Sequence, residues 1–277
     1  MQTGCGGENF RATASLFLEE ALERITSRQN KIIQHFRRLG SDGGYRRENG
    51  EFVCEGAKQL GEAVTWGMEI TSVLWAAEPE RPLTGVPAQY LVPEDLLAYA
   101  SSLKNSPGPI FSVKMKAPGR LPDSPGVILL DGVQDPGNVG TVIRTANAFG
   151  MDAVVLADGC ADLYNPRTVR ASMGAVFRQN VLEMPNEKIP EFLEKYSLEL
   201  WGAALADDAS DIRELPRGAA VAIGSEGRGL GAQILEMCTG RVIIPMRPEC
   251  ESLNAAVAAS VIMWETSGRK QVNGCRR

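Results

Sequence analysis

Asn138 and Arg144, Glu226, and Ser252 with Asn254 stand in three short segments whose other residues are mostly glycine, proline or apolar. An amide, a guanidinium, a carboxylate and a hydroxyl can together bind and orient a polar ligand, because they offer donors and acceptors of fixed geometry. The first segment, residues 131–150, reads DGVQDPGNVGTVIRTANAFG. Pro136-Gly137 predicts a turn, and Asn138 has the side chain of a helix N-cap. Val139, Val142, Ile143, Ala146 and Phe149 then form one apolar stripe. Arg144 follows Asn138 by nearly two turns, so its long side chain can point toward the same mouth. Gly140 is costly in a helix, which close approach of a ligand or another backbone would justify. Taken alone, the segment equally suits an ordinary capped surface helix.

The second segment, residues 221–232, reads VAIGSEGRGLGA. Gly227, Gly229 and Ala232 formally match a dinucleotide fingerprint, whose glycines should follow their strand directly. Here Gly224-Ser225-Glu226 intervenes, and a carboxylate would repel a pyrophosphate. Exposed amides in such a loop suit a ligand gripped by the main chain, and a merely tight turn is the plainer alternative. In the third segment, residues 243–260, Pro245 stops a strand and Ser252 is the expected N-cap of an alanine-rich helix. Asn254 falls in its first turn. Small side chains there also fit a helix that simply packs closely.

These loops need a scaffold. Residues 127–130, 153–156, 198–204, 219–223 and 242–244 read as strands, and 138–149, 165–174, 187–196 and 252–264 as helices. Strands alternating with helices predict a mostly parallel sheet covered on both faces. Such sheets bind ligands in the loops at the carboxyl ends of their strands. Ahead of residues 116–125, a linker rich in proline, lies a smaller α/β unit. Its expected elements are helices over 10–26, from Ser27 to about Leu39, over 56–66 and over 93–101, with strands at 51–55, 70–75 and 109–115; residues 41–44 should end the second helix.

The chain has 277 residues, 44% of them hydrophobic and 23% charged, with net charge −5. That is soluble globular composition. No apolar run approaches the roughly 20 residues of a membrane span, and no basic, apolar leader opens the sequence, so a cytoplasmic protein without membrane contact is expected. Six cysteines form no C-x-x-C pair and the one histidine is His35; clustered metal ligands are missing, and no metal is expected. Residues 24–47 hold seven basic residues and one acid, against 22 basic and 33 acidic elsewhere. Such a patch can bind phosphates on an acidic protein, or simply form a solvated face.

Together the three loops resemble the three motifs of the SpoU/TrmH family in the SPOUT superfamily of RNA methyltransferases. The matching residues are Asn138-x-Gly140-x-x-x-Arg144, Gly224-Ser225-Glu226-Gly227-x-Gly229-Leu230, and Ile244-Pro245-Met246 followed by Glu251-Ser252-Leu253-Asn254-Ala255-Ala256-Val257-Ala258. Arg170-Ala171-Ser172-Met173-Gly174 resembles the stretch usual between the first two. Ile25-Thr26-Ser27, Glu48 and residues 52–56 resemble the family's substrate-binding domain, which is similar to RNA-binding ribosomal proteins. Asn147, where many relatives have aspartate, and Ala256, where some have serine, depart from the pattern.

The resemblance implies an RNA-binding domain at 24–115 and, beyond the linker at 116–125, a methyltransferase domain at 126–277 with a deep trefoil knot; residues 1–23 lie outside it and are expected to be a helical extension. The resemblance also implies a homodimer with sites at the interface. S-adenosylmethionine is implied as cofactor, held by Gly224, Ile244 and Leu253, with Leu156 near the adenosine. The implied reaction is methylation of a ribose 2′-hydroxyl, in ribosomal RNA of the 23S type rather than transfer RNA. Arg28, Lys31, Arg37, Arg38, Arg46 and Arg47 are the expected RNA contacts.

Asn138, Arg144, Glu226, Ser252 and Asn254 are the expected catalytic residues. In-line displacement at a methyl group needs alignment and removal of the hydroxyl proton. With no histidine after residue 35, Arg144, Glu226 and water are the candidates. The family casts Arg144 as the base; because a guanidinium is almost always protonated, a clamp on the neighbouring phosphate stands beside that role. Asn138 is expected to position Arg144 or the ribose, and Glu226 to orient the site. The rival readings are a catalytically silent RNA-binding protein on the same fold and an NAD-binding protein.

Overall fold

The computed structural model describes residues 22–267 except 104, 105, 107, 207, 217, 248 and 251. In chain order the first layer comprises β1 (Glu23–Arg24), α1 (Lys31–Ser41), α2 (Gly43–Asn49), β2 (Glu51–Glu55), α3 (Ala57–Thr65), β3 (Ile70–Trp75), β4 (Ala88–Leu91), α4 (Glu94–Ala100) and β5 (Ile110–Lys114). The second comprises β6 (Val127–Asp131), α5 (Pro136–Ala148), β7 (Ala153–Leu156), α6 (Pro166–Ala171), β8 (Val181–Glu183), α7 (Ile189–Lys195), β9 (Leu200–Ala203), β10 (Ser210–Asp211), β11 (Ala220–Gly224), α8 (Ala232–Met237), β12 (Gly240–Ile243) and α9 (Ala255–Ser267).

Five strands form a mixed sheet, ordered β1-β4-β3-β5-β2, and seven form a parallel sheet, ordered β10-β12-β9-β11-β6-β7-β8. The central strands are apolar on both faces, as a doubly covered parallel sheet requires. Ile128, Leu130, Val154, Val221 and Ile223 point into one core with α5 and α9. Val127, Leu129, Val155, Ala220 and Ala222 point into the other. The alternation is the period of two that a strand imposes. No helix among the described residues is long and apolar enough to cross a membrane.

A third core spans the two layers. Phe52, Phe111 and Val113 of the first sheet pack with Val169 and Phe177 of the second layer, and Phe52 stacks on Tyr164 at 4.6 Å between centroids. Residues 116–125 are tied down too: Leu121 is buried, and Gly119 donates its N–H to Asn180 Oδ1 at 2.8 Å.

Several sequence expectations need correction. Residues 23–24 are extended and pair with Tyr90-Leu91, so a helix over 10–26 cannot run to its expected end; residues 1–21 lie outside the described residues. The cap of α1 is Asn30, whose Oδ1 accepts from the Ile32 amide at 2.8 Å, not Ser27. Asp42 closes α1 and caps α2 through the Tyr45 amide, so the helical path resumes where an end was expected. Helix α5 begins at Pro136 because Asp135 caps it, accepting from Gly137 and Asn138 amides at 2.5 and 3.3 Å. Asn138 is therefore released from capping. The cap of α9 is Asn254, whose Oδ1 accepts from Ala256 and Val257 amides at 3.0 and 3.3 Å, rather than Ser252.

Candidate active site

Strands β6 and β11 are neighbours in register, with Asp131 opposite Gly224. The loops after them therefore leave the same edge of the sheet. Residues 225–229 form a tight hairpin: Ser225 and Gly229 exchange main-chain hydrogen bonds of 3.1 and 2.9 Å, and Gly229 has φ of +66°, a conformation glycine adopts without steric cost. A Cβ on Gly224 would lie 2.0 Å from the Gly229 carbonyl carbon, so the loop can fold back over the strand end only with glycine there. Asp131 pins the far side: its Oδ2 accepts from the Gly231 amide at 2.6 Å. This hairpin is unlike the strand-to-helix turn that holds a dinucleotide pyrophosphate, and α8 begins only at Ala232.

The hairpin roofs a cavity of about 530 Å³ at the carboxyl ends of β9, β11 and β12. Ala203, Leu205, Ile223, Leu230, Ile244, Leu253 and Ala255 supply apolar walls, while Gly224, Ser225, Glu226 and Ser252 supply polar groups. Among the described residues, no main-chain hydrogen bond engages Ile244 or Leu253, so their amides and carbonyls are available to a ligand. Gly224, Ile244 and Leu253 thus meet at one cavity. Leu156 does not: it sits in β7, two strands from β11, buried 3% exposed in the core. Sequence reasoning missed Ala203–Leu205, the end of β9. The rule that ligands sit at strand carboxyl ends points there, but no distinctive residue marks the place.

At the mouth, three loops converge. Asn138 donates its side-chain amide to Glu226 Oε1 in a short bond, and Asn254 Nδ2 donates to Asn138 Oδ1 at 3.1 Å. Gly140 earns its place as expected, because a Cβ there would lie 2.4 Å from the Thr168 carbonyl of α6. Arg144 takes no part in this cluster. At about 100° per residue, six residues carry it roughly 120° around α5 from Asn138. Its side chain is exposed and lies outside the cavity lining, with no ion pair or hydrogen bond among the described residues. Glu251 lies outside the described residues.

The basic segment divides. Arg37 stacks on Tyr99 at 4.0 Å and Arg38 on Tyr45 at 3.7 Å. Lys31 is exposed. Arg28 is exposed beside Asp95 at 3.8 Å, and Arg47 bonds Glu183 at 3.0 Å while remaining 60% exposed. Arg46 is different. It is buried, 4% exposed, bonded to Asp162 and, at 2.7 Å, to the Leu39 carbonyl. Its expected role as a phosphate contact is corrected: the guanidinium is spent inside the protein.

Burial pushes the Cys160 and Cys238 thiols up to about 11, away from the thiolate that reactivity requires.

The sequence pattern of the SpoU rRNA Methylase family matches residues 125–264. The chain is 31% identical to the 23S rRNA (guanosine(2553)-2'-O)-methyltransferase RlmP of Bacillus subtilis (strain 168), over 89% of this chain and all (100%) of that one. It is 30% identical to a 23S rRNA (uridine(2479)-2'-O)-methyltransferase of Streptomyces viridochromogenes, covering 92% and 94% of the two. The crystal structure of the SpoU methyltransferase AviRb from the same organism, in complex with AdoMet, superposes with a TM-score of 0.79 at 26% identity, over 89% of this chain and 100% of that one.

Proposed function

Because the chain belongs to the SpoU rRNA methylase family, we propose that it transfers a methyl group from S-adenosylmethionine to a ribose 2′-hydroxyl of 23S-type ribosomal RNA. The observation that carries this is the convergence of Asn138, Glu226 and Asn254 at the mouth of the 530 Å³ cavity. The cavity fits the cofactor: its size is usual for a small-molecule site, its walls are apolar enough for an adenosine, and unengaged main-chain groups at Ile244 and Leu253 line it. When bound there, S-adenosylmethionine supplies the methyl group.

The chain's own residues do the rest. Gly224, Ile244 and Leu253 hold the cofactor, Ser252 shapes the cavity where the hydroxyl enters, and the hairpin keeps bulk water from the reacting centre. Glu226, which only accepts hydrogen bonds as a carboxylate, fixes the Asn138 amide, and Asn254 fixes its other end. Arg144 takes the hydroxyl proton or clamps the adjoining phosphate. Arg28, Lys31, Arg37, Arg38 and Arg47 dock the RNA.

A homodimer completes this reading. Val257, Val261 and Trp264 of α9 are exposed by 48%, 37% and 64%, one helical stripe beside α5, where Trp264 meets Phe149 at 5.6 Å between centroids. A second copy packed there covers the stripe and presents its Arg144 to this cavity. The same reading gives residues 1–23 as an extension, 24–115 as the RNA-binding domain, 116–125 as the linker and 126–277 as a knotted methyltransferase domain. Its support is that α9, after β12 at the sheet's far side, returns to pack on α5 and β11. The cytoplasm is the expected location.

Mapping ribose methylation across total RNA with and without the gene tests the function; one 23S position should lose its methyl group. Mixing inactive Arg144→Ala protein with inactive Gly224→Val protein tests the dimer. Composite sites regain activity on mixing, and sites built within one chain do not.

A further inference from the structure

We propose that Trp66 is a stacking platform for an unpaired base of the substrate RNA, fixed beside α5 by the Arg178 guanidinium. The inference deepens the methyltransferase reading and rests on it. Trp66 follows α3 and is 51% exposed, with Val64 beside it 50% exposed. A tryptophan usually buries most of its ring, so folding leaves this one unexplained. The ring's one described partner is Arg178, whose guanidinium carbon lies 5.3 Å from the ring centroid.

Arg178 is itself held from three directions. Its Nε donates to Asn147 Oδ1 at 2.8 Å, and its Nη1 donates to Glu62 Oε2 at 2.5 Å and to the Gly174 carbonyl at 3.2 Å. A cation fixed in this way orders the ring before any ligand arrives, which lowers the entropy lost on binding. Asn147, a departure from the family pattern, thereby acquires a task. It lies three residues after Arg144 on α5, and residues so spaced are neighbours on a helix surface. The chain Trp66–Arg178–Asn147 thus ties the ring to the helix that carries the arginine assigned to the RNA in the proposed reaction. Arg167 and Arg170 lie on α6, which packs on α5, and both are exposed without an ion pair among the described residues. An exposed aromatic ring ordered by a cation, on a layer that also carries exposed arginines, is a combination that binds single-stranded nucleic acid: phosphates take the charge and any base offers a π-face.

The test uses the full chain and ribosomal RNA isolated from a strain lacking the gene, so the target nucleotide need not be known. Trp66→Ala should raise the KM for that RNA about tenfold, within the range of one base–aromatic stack. Its kcat and cofactor KM should hold, and Trp66→Phe should restore the RNA KM. An unchanged RNA KM in Trp66→Ala overturns the platform. So does a shifted sedimentation mass with an RNA KM that Trp66→Phe fails to restore, since the ring then serves contact between copies. If the wild-type protein methylates none of this RNA, the functional reading fails instead, and filter binding of the same RNA to wild type and Trp66→Ala still decides the platform: about tenfold weaker retention supports it, and equal retention overturns it.

Discussion

Asn254 donates through Nδ2 to Oδ1 of Asn138 at 3.1 Å, joining positions 116 residues apart. With Glu226 accepting from the other end of the same amide, Asn138 has one orientation only. Asn138→Asp places a second carboxylate against Glu226. One of the pair must then take a proton, because like charges in contact cannot both ionise. The variant should lose about 10²-fold in kcat, the scale of one positioning or proton-transfer group. Part of the loss should return as pH falls and the protonated partner again donates. A kcat–pH profile parallel to wild type would remove the carboxylate from this arrangement.

Arg144→Ala should keep cofactor affinity, since the side chain lies outside the cavity lining, and lose methylation by about 10²-fold or more. Calorimetric titration with S-adenosylmethionine and single-turnover methylation measure the two separately. Arg144→Lys separates the roles: a phosphate clamp tolerates a point charge in part, although the bidentate fork is lost. Turnover near wild type in Arg144→Ala would take the residue out of the mechanism.

The parts of this protein that were legible in the sequence are those governed by local physics. The strands at 127–130 and 153–156 read correctly because a doubly covered sheet leaves continuous valine, isoleucine and leucine. The hairpin after β11 was marked by its glycines, among them Gly224, whose missing side chain admits Gly229. What escaped depended on distant partners. Ala88–Leu91 has no alternation and joins the sheet only because β1 and β3 flank it. Leu156, taken from the resemblance, lies in the core of β7, two strands from β11, a relation between strands that no local pattern displays. Arg46 reads as one more surface cation until Asp162, 116 residues on, is beside it.

Gly140→Ala sets helix propensity against packing. Alanine gains about 1 kcal/mol over glycine in a helix, yet the new Cβ would lie 2.4 Å from the Thr168 carbonyl and 2.6 Å from Ala171 Cβ. Overpacking costs about 1–3 kcal/mol, and backbone cannot step aside as a side chain can, so net destabilisation is expected. Gly61→Ala in α3 is the control, because nothing lies within 4 Å of its Cβ; it should stabilise. Thermal or urea unfolding of both variants gives the signs.

The first layer should weaken in acid through Glu51. Burial pushes its carboxyl up, but bonds from Lys114 at 2.7 Å, His35 at 3.2 Å and Thr71 at 3.1 Å outweigh this and hold it below the ordinary carboxylate range. A lowered folded value stabilises above the unfolded pKa, and that contribution fades as pH falls through the folded one. Stability should therefore drop below about pH 4.5, its ordinary value, and Glu51→Gln should flatten that limb while lowering the plateau at neutral pH. Denaturant midpoints against pH, in both proteins, measure the difference.

Arg46 and Arg38 sit eight positions apart in the same basic segment, and their variants should fail in different ways. Arg46 links α2 to Asp162 in the second layer and to the Leu39 carbonyl, and it is 4% exposed. Removing one partner of a buried pair costs about 3–5 kcal/mol, because the other charge stays behind without compensation. With Asp162 side chain 21% exposed, the lower end applies. Arg46→Lys should recover little, since an ammonium cannot make the same fork of bonds. Arg38, stacked on Tyr45 at the surface, should behave oppositely: Arg38→Ala should leave the unfolding midpoint nearly unchanged, weaken RNA binding and shallow its salt dependence by about one charge. If Arg46→Ala unfolds like wild type while losing RNA affinity, Arg46 belongs to the RNA surface after all, and the two layers are held together by their other contacts, among them the Phe52–Tyr164 core, Arg47–Glu183 and Arg178–Glu62.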